Sequence, residues 1–439
     1  MPGVQYPLNP IDLVLLATHE SLRSRGYCGL SVMLIADIEG PLPSGPLRDA
    51  VQRLGRLYPA LSARIRFTPI LRRVRWSVAP NAIGEEQVTY EHHSAGPGDP
   101  NVDEPLRRAM DEPVDLARGP SLRVVHVQLA DDRHRVGLRW AHPLMDLEGA
   151  HLLLRELDRL MRGEPPILDR DPRAVFPRPF PWRFPNSFVR VWQGRALHVY
   201  QDSFRQPRVV ARPENATQRV NFLLRRYDVD ARRRFEAFAR EHTTAGPMRY
   251  SRAVMIGLAR VYVAMATERG RPRDHYLFSH ALPLPRPGPR PGVHGNHVTI
   301  PWLVLPAGCV GDWGRADEEV ARQFVEYHAK SRDQAMWEMS RATAAWPFPL
   351  ARFMARHRIP RGAVSCTGYR FDDTVERIGD AAITNLTAAG PPNCHPGWIV
   401  AYTTFKDSMS LALTFFEDYV DPTSAVEILD RVEDEIGLR

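Results

Sequence analysis

Apolar and polar positions repeat with two different periods along this chain, and the switches between them mark its elements. PLNPIDLVLLATHE predicts an early helix behind a proline-bounded turn, and YCGLSVMLIADIEG, nearly continuous in apolar residues, predicts a buried strand. Leu47, Val51, Leu54 and Leu57 then fall at helical spacing until Pro59 stops the run. LRVVHVQL and HRVGLRWAH predict a hairpin across Ala130, Asp131, Asp132 and Arg133. On its second strand Val136, Leu138, Trp140 and His142 share one face, because strand side chains alternate with period two. His142 therefore points where the apolar residues point. Pro143 disfavours a helical conformation for His142, so the strand ends there and the chain turns before a helix whose stripe is Leu152, Leu153, Leu157 and Leu160, closed by Gly163.

Residues 163–215 are rich in Pro, Arg and aromatics and predict a linker or long crossover. After it the alternation resumes: strand QRVNFLLRRYDV, helices DARRRFEAFAREH and YSRAVMIGLARVYVAMATERG, strand YLFSHALPLP, and the turn-rich RPGPRPGVHGNHVTIPWLVLP. ITNLTAAGPP reads as a loop, WIVAYTTFKDSMSLALTFFED as a hairpin and PTSAVEILDRVEDEIG as a closing helix. Mixed strands and helices over 439 residues predict an α/β protein of two domains.

Composition narrows the class. Hydrophobic content of 44% and charged content of 25% are those of a soluble globular protein. There is no run of about 18 uncharged apolar residues and no signal-peptide pattern, so a cytoplasmic location without a transmembrane segment is the expectation. The cysteines Cys28, Cys309, Cys366 and Cys394 are scattered without a CxxC pair and read as packing residues, giving no sign of a metal site. The net charge of +7 comes almost wholly from arginine, Lys330 and Lys406 being the only lysines. Such a balance favours anionic partners, but the arginines are dispersed and no nucleic-acid-binding signature is present.

Well-marked catalytic motifs are absent: there is no GxSxG, P-loop, HExxH or GxGxxG after a strand. What remains is RWAHPLMDLEG, residues 139–149, with an inward-facing His142 on a proline-fixed turn and Asp146 four residues on. Two readings stand side by side. In one, His142 is a core histidine and Asp146 caps the following helix. In the other, His142 is a general base, whose ordinary pKa near 6.5 suits removing a proton at neutral pH.

The string AHPLMDLEGAHLLLREL resembles the HHxxxDG motif of the CoA-dependent acyltransferase superfamily, which includes condensation domains, the plant BAHD enzymes (HxxxD), polyketide-associated acyltransferases and the wax ester synthase/diacylglycerol acyltransferases. Ala141 stands in place of the first histidine, as it is also missing in plant members, and Leu147 in place of the glycine after the aspartate; Gly149 and the Leu-rich helix resemble the bacterial members. PLNPIDLVLL resembles the opening Pro-x-x-x-Asp segment, ALPLPRP with HGNHVTIPWLVLP the second-domain strand ending in arginine and the Gly-Asn strand, and ITNLTAAGPP the Ser/Thr-Asn-x-x-x-Gly-Pro crossover; the DFGWG string of plant members is missing.

The resemblance implies two chloramphenicol-acetyltransferase-like halves, each an α+β two-layer sandwich, leaning together in a V around a central tunnel. The expected boundaries are 1–175 for the first half, 176–215 for the linker and 216–439 for the second. It implies His142 as base, with Asp146 shaping its loop by pairing with an arginine of the second half, Arg286 first and Arg290 second. Ala141, Leu147, Gly149, Asn296, Thr384, Asn385 and Trp398 are the expected tunnel-lining residues. The donor implied is an acyl-CoA or a phosphopantetheinyl acyl-carrier protein, its phosphates met by arginines such as those of RPGPRPG; the acceptor is an alcohol or amine, with no metal and no tightly bound cofactor. A monomer of bacterial natural-product or lipid biosynthesis is expected. Ala141 and Leu147 keep open a catalytically silent protein that binds a carrier, and the tunnel equally suits cyclisation or dehydration of a carrier-bound intermediate.

Overall fold

The computed structural model describes residues 4–68, 73–78, 88–96, 101–119, 121–168, 186–202, 204, 206–213, 217–246, 248–284, 292–344, 347–350, 352–353, 364–371, 375–392 and 396–439. Its first half contains β1 (Val4–Pro7), α1 (Pro10–Arg23), β2 (Ser31–Glu39), α2 (Ser44–Leu57), β3 (Arg64–Phe67), β4 (Val74–Val78), β5 (Val88–Ser94), α3 (Glu104–Asp111), β6 (Leu122–Gln128), β7 (Arg133–Ala141) and α4 (Leu147–Met161). α1 starts where the periodicity predicts, with Pro10 in its first turn and the Asn9 side chain accepting from Asp12 N at 2.7 Å. α2 and α4 bury Leu47, Val51, Leu54, Leu153 and Leu157 against the sheet face formed by Val136, Leu138 and Trp140.

α5 (Asn186–Asp202) lies within the stretch read as a linker. The second half contains β8 (Val220–Tyr227), α6 (Val229–His242), α7 (Arg249–Glu268), β9 (His275–Pro283), β10 (Val298–Thr299), β11 (Trp302–Pro306), α8 (Ala307–Val310), α9 (Trp313–Ala329), α10 (Arg332–Ala344), β12 (Val364–Arg370), β13 (Arg377–Ile378), β14 (Ala381–Ala389), β15 (Trp398–Phe405), β16 (Ser408–Phe416) and a C-terminal helix (Pro422–Glu435). Its sheet runs β10-β9-β12-β15-β16-β8, with β11 also on β9. Phe235, Val254, Leu258, Val320, Ile428 and Val432 on its helices form a second core with Phe278, Val400 and Leu413 of the sheet. α5 packs on α10, and α10 on α1, so this part of the expected linker is a helix that joins the halves.

One crossover departs from the sequence reading. ITNLTAAGPP, residues 383–392 and read as a loop, lies mostly in β14 (Ala381–Ala389), which pairs antiparallel with β2 from Ala382↔Glu39 to Ala389↔Met33. With β13 it extends the first sheet to β13-β14-β2-β7-β6-β5, so two strands within the span 216–439 belong to the first half's sheet. Asn385 in its middle and Gly390 and Pro391 just after it signal turns locally, but the pairing partner lies about 350 residues away in sequence and overrides them. A third core, where Met33, Val125 and Val127 meet Val220, Phe222 and Phe416, packs the two halves together.

Buried histidines make this fold acid-sensitive. His126 Nδ1 lies 2.9 Å from Tyr90 Oη and its Nε2 3.1 Å from His134 Nδ1, a chain that holds only while one ring of the pair supplies an acceptor. Burial pushes His126 down to about 3 and His19 and His280 each to about 4, and lowers His134. These groups stay neutral when folded but take up protons near pH 6.5 when unfolded, so their contribution is full above pH 6.5 and is lost as pH falls towards 4. The urea midpoint at pH 5 is expected well below that at pH 7.5, by on the order of a few kcal/mol in stability.

Candidate active site

β7 delivers His142 to the junction of the halves. Ala141 N donates to Ser121 O at 3.1 Å and His142 N to Leu30 O at 2.9 Å; the chain then leaves the sheet at Pro143. The turn is closed from within by Trp140, whose Nε1 donates to Met145 O at 2.8 Å. Asp146 is the N-cap of α4, accepting from Gly149 N at 2.9 Å through Oδ1. Its other oxygen accepts from His297 N at 2.7 Å, a main-chain donor of the second half.

The segment before β10 supplies most of the remaining grip. Gly295 N donates to Leu144 O at 2.8 Å, and Asn296 Nδ2 donates to His142 O at 2.8 Å. Gly295 has φ +83°, and a Cβ there would stand 3.2 Å from Asn9 Nδ2, so both conformation and space favour glycine. Asn296 also donates from its main chain and its side chain to Asp12 Oδ1, at 2.9 and 2.8 Å. Burial pushes the Asp12 carboxyl up to about 8 and lowers the His142 imidazole from its ordinary value. At neutral pH the His142 ring is therefore uncharged, with a nitrogen lone pair free to take a proton.

The remaining expected residues separate into those near this loop and those remote from it. Ala141 is fully buried in the first core, its methyl beside Ser31 across the sheet. Leu147 begins α4 half-buried against the same core. Gly149 is a contact between halves: a Cβ there would lie 2.3 Å from Val293 O, a main-chain atom that must move. Gly149→Ala is accordingly expected to cost about 1–3 kcal/mol and to lift residues 293–297 off the histidine loop, lowering the thermal midpoint and any turnover together.

Asn385 and Thr384 do not reach the loop. Asn385 sits opposite Asp37 on β2, whereas Ala141 sits opposite Ser31, six residues along, or about 20 Å away at the strand rise. Thr384 falls in a register shift of β14 and is exposed. Asn385 instead joins a polar bridge: its Nδ2 lies 3.2 Å from Asp37 Oδ2 and 2.9 Å from Ser410 Oγ, and Asp37 also binds Arg135 at 3.0 Å and Arg226 at 2.5 Å. Trp398 is fully buried and packs on Tyr262, ring centroids 6.0 Å apart, inside the second core. Arg286 and Arg290, the expected partners of Asp146, lie outside the described residues. Trp140, Asp12, Gly295 and the His297 main chain were not singled out as site residues from sequence; the Gly-Asn pair before β10 and the Asp of the opening segment were the signals available.

Two mixed halves are joined by a crossover strand, and His142 stands on a strand-end turn between them. Solved structures place the fold more closely: it is that of condensation domains. The first condensation domain of the CDA synthetase is 13% identical, with a TM-score of 0.70 over 99% of this chain and 96% of that one. A variant of the starter condensation domain of rhizomide synthetase, in complex with C8-CoA, is 12% identical, with a TM-score of 0.63 over 99% and 95%. The condensation domain of the Monacolin K polyketide synthase is 11% identical, with a TM-score of 0.59 over 99% and 97%. No protein-family model and no curated protein sequence matches the chain. Among the described residues no helix is long and apolar enough to cross a membrane.

Proposed function

We propose that this protein is an acyltransferase that moves an acyl group from a CoA or carrier-protein thioester to a hydroxyl or amine, with His142 as general base. The observation that carries the reading is the neutral imidazole of His142 on a turn held from both halves. As the acceptor oxygen or nitrogen attacks the thioester carbonyl, its proton passes to the bare nitrogen of His142. The tetrahedral intermediate collapses, the carbon–sulfur bond breaks, and the imidazolium returns the proton to the departing thiolate. Free thiol and an ester or amide are the products, and no acyl-enzyme forms. The C8-CoA held by the rhizomide starter domain supports an acyl thioester as donor. Bacterial natural-product or lipid biosynthesis in the cytoplasm, by a monomer, completes the proposal.

The test is mass analysis of products from purified protein supplied with acyl-CoAs and acyl-carrier proteins in turn, together with mixed alcohols and amines. A new ester or amide is expected with at least one donor. Hydrolysis alone, or no consumption of any thioester, would count against the reading.

A further inference from the structure

Four charged side chains gather round a cavity at the end of the second sheet without neutralising one another. Arg370 at the end of β12, Glu376 beyond it, and Lys406 and Asp407 in the β15–β16 turn line it, and all four are exposed. Its volume, about 550 Å³, falls within the ~300–1,000 Å³ of small-molecule sites. None of the four side chains forms an ion pair or a hydrogen bond among the described residues. The Lys406 ammonium lies over the Phe405 ring, 5.4 Å from its centroid. Arg232 of α6 completes the wall, its own charge met by Glu236 at 2.8 Å and one N–H spent on the Lys406 carbonyl. Lys406 has φ +48° in a two-residue hairpin loop, where positive φ favours Asn or Gly, so a lysine stands here at a cost in backbone strain.

The cavity stands beside the histidine loop. Arg370 pairs with Thr404 on β15 and, three residues beyond the Thr367↔Ala281 pair, is level with Leu284, whose N–H donates to His297 O at 2.7 Å. At about 4.8 Å per strand, the main chain of Arg370 is roughly 10 Å from the segment whose His297 N–H holds Asp146. Phe371, a buried wall of the cavity, packs on His151 of α4 with ring centroids 5.1 Å apart. A pantetheine arm spans such an interval.

We propose that this cavity holds the nucleotide end of CoA, its phosphates on Arg370 and Lys406 and its ribose hydroxyl and adenine amino group on Glu376 and Asp407, so that the donor is an acyl-CoA and not a carrier-bound thioester. As a donor site it rests on the acyl-transfer reading above; as a nucleotide site it does not. The charge balance selects the ligand. Two free cations and two free carboxylates cancel at a distance and attract a simple anion weakly, but they fit a molecule that carries phosphates together with O–H and N–H donors. Arg and Lys meet phosphate oxygens, and carboxylates accept from ribose hydroxyls in dinucleotide sites. The arm of a carrier protein brings one phosphodiester and neither base nor ribose, which would leave Glu376 and Asp407 facing the phosphate with nothing to accept from.

The experiment is calorimetric titration of the purified protein with adenosine 3′,5′-diphosphate, CoA, inorganic phosphate and phosphopantetheine, the arm that a carrier presents. Adenosine 3′,5′-diphosphate and CoA are expected to bind, and phosphate and phosphopantetheine to bind at least roughly tenfold more weakly. Arg370→Gln and Lys406→Asn should each weaken nucleotide binding by roughly tenfold or more. Asparagine tolerates the positive φ better than lysine, so Lys406→Asn should melt no lower than wild type, which separates lost binding from lost fold. With a donor that turns over, the preference for acyl-CoA over acyl-pantetheine, read as a ratio of kcat/KM, should fall by a similar factor in both variants. No nucleotide binding in the wild type, undiminished binding in the folded variants, or phosphopantetheine bound as tightly as CoA overturns the inference. Nucleotide binding that depends on Arg370 and Lys406, without acyl transfer from any CoA thioester, would instead fault the proposed activity and leave the nucleotide site standing.

Discussion

His142→Ala is expected to abolish acyl transfer while leaving the protein folded. The loop's shape is set by main-chain groups of His142, its N–H on Leu30 O and its carbonyl on Asn296, and these survive the loss of the ring. His142 is a half-buried residue and its Nδ1 is bonded to no described group, so removal of the ring orphans no described partner. Loss of a positioned general base lowers kcat by roughly 10²- to 10⁴-fold, read as product formed per minute at saturating thioester, with unfolding monitored in parallel. The pH profile supplies a second check. Burial lowers the imidazole pKa, so the base is already free at pH 7 and the rate should be flat above about pH 6.5, falling only on the acid side as the ring takes up a proton. A wild-type rate that keeps climbing between pH 7 and 9, or equal rates in the two proteins, would remove His142 from this role.

The elements that the sequence predicts correctly are those whose causes are local. α1, α2, α4 and the β6–β7 hairpin each carry their own periodicity, cap or turn, and Asp146 as the cap of α4 could be read from an aspartate at the head of a Leu-rich stripe. β14 was missed because a strand that completes another half's sheet needs no alternation strong enough to stand alone; its Asn385 bonds Asp37, Ser408 and Ser410 rather than forming a turn. α5 was missed because prolines just before it dominate the composition of the window, although Asn186–Asp202 contains none. Within the site, the histidine and aspartate were legible, being fixed in one short motif. The donors that hold them come from residues 293–297, whose contact with the loop is a matter of tertiary placement: main-chain N–H groups leave no signature in side-chain identity. Trp398 illustrates the converse. An aromatic near a motif suggests a substrate wall, yet the alternation along β15 turns this one onto the helices of its own half.

Asp146 gives the largest expected effect on stability, and the two possible substitutions separate its two jobs. Its oxygens accept from different elements, Gly149 N at the head of α4 and His297 N in the second half, and Asp146 is almost wholly buried. Asp146→Ala leaves both N–H groups without their acceptor, each worth about 1–3 kcal/mol when buried, so a loss of roughly 3–5 kcal/mol is expected in urea unfolding at pH 7.5. Asp146→Asn is subtler. One amide oxygen can keep the cap on Gly149, but the NH₂ group then faces the His297 N–H, donor against donor, and turning the amide over restores that contact only by breaking the cap. The asparagine variant is therefore expected to lose about 1.5–3 kcal/mol, the worth of one hydrogen bond to a charged group, and to remain folded with much reduced turnover, because the strand before β10 that also grips His142 through Asn296 is no longer anchored. Equal stability of wild type and Asp146→Asn would mean that the His297 contact does not hold the halves together, and the base would then owe its position to Asn296 and Gly295 alone.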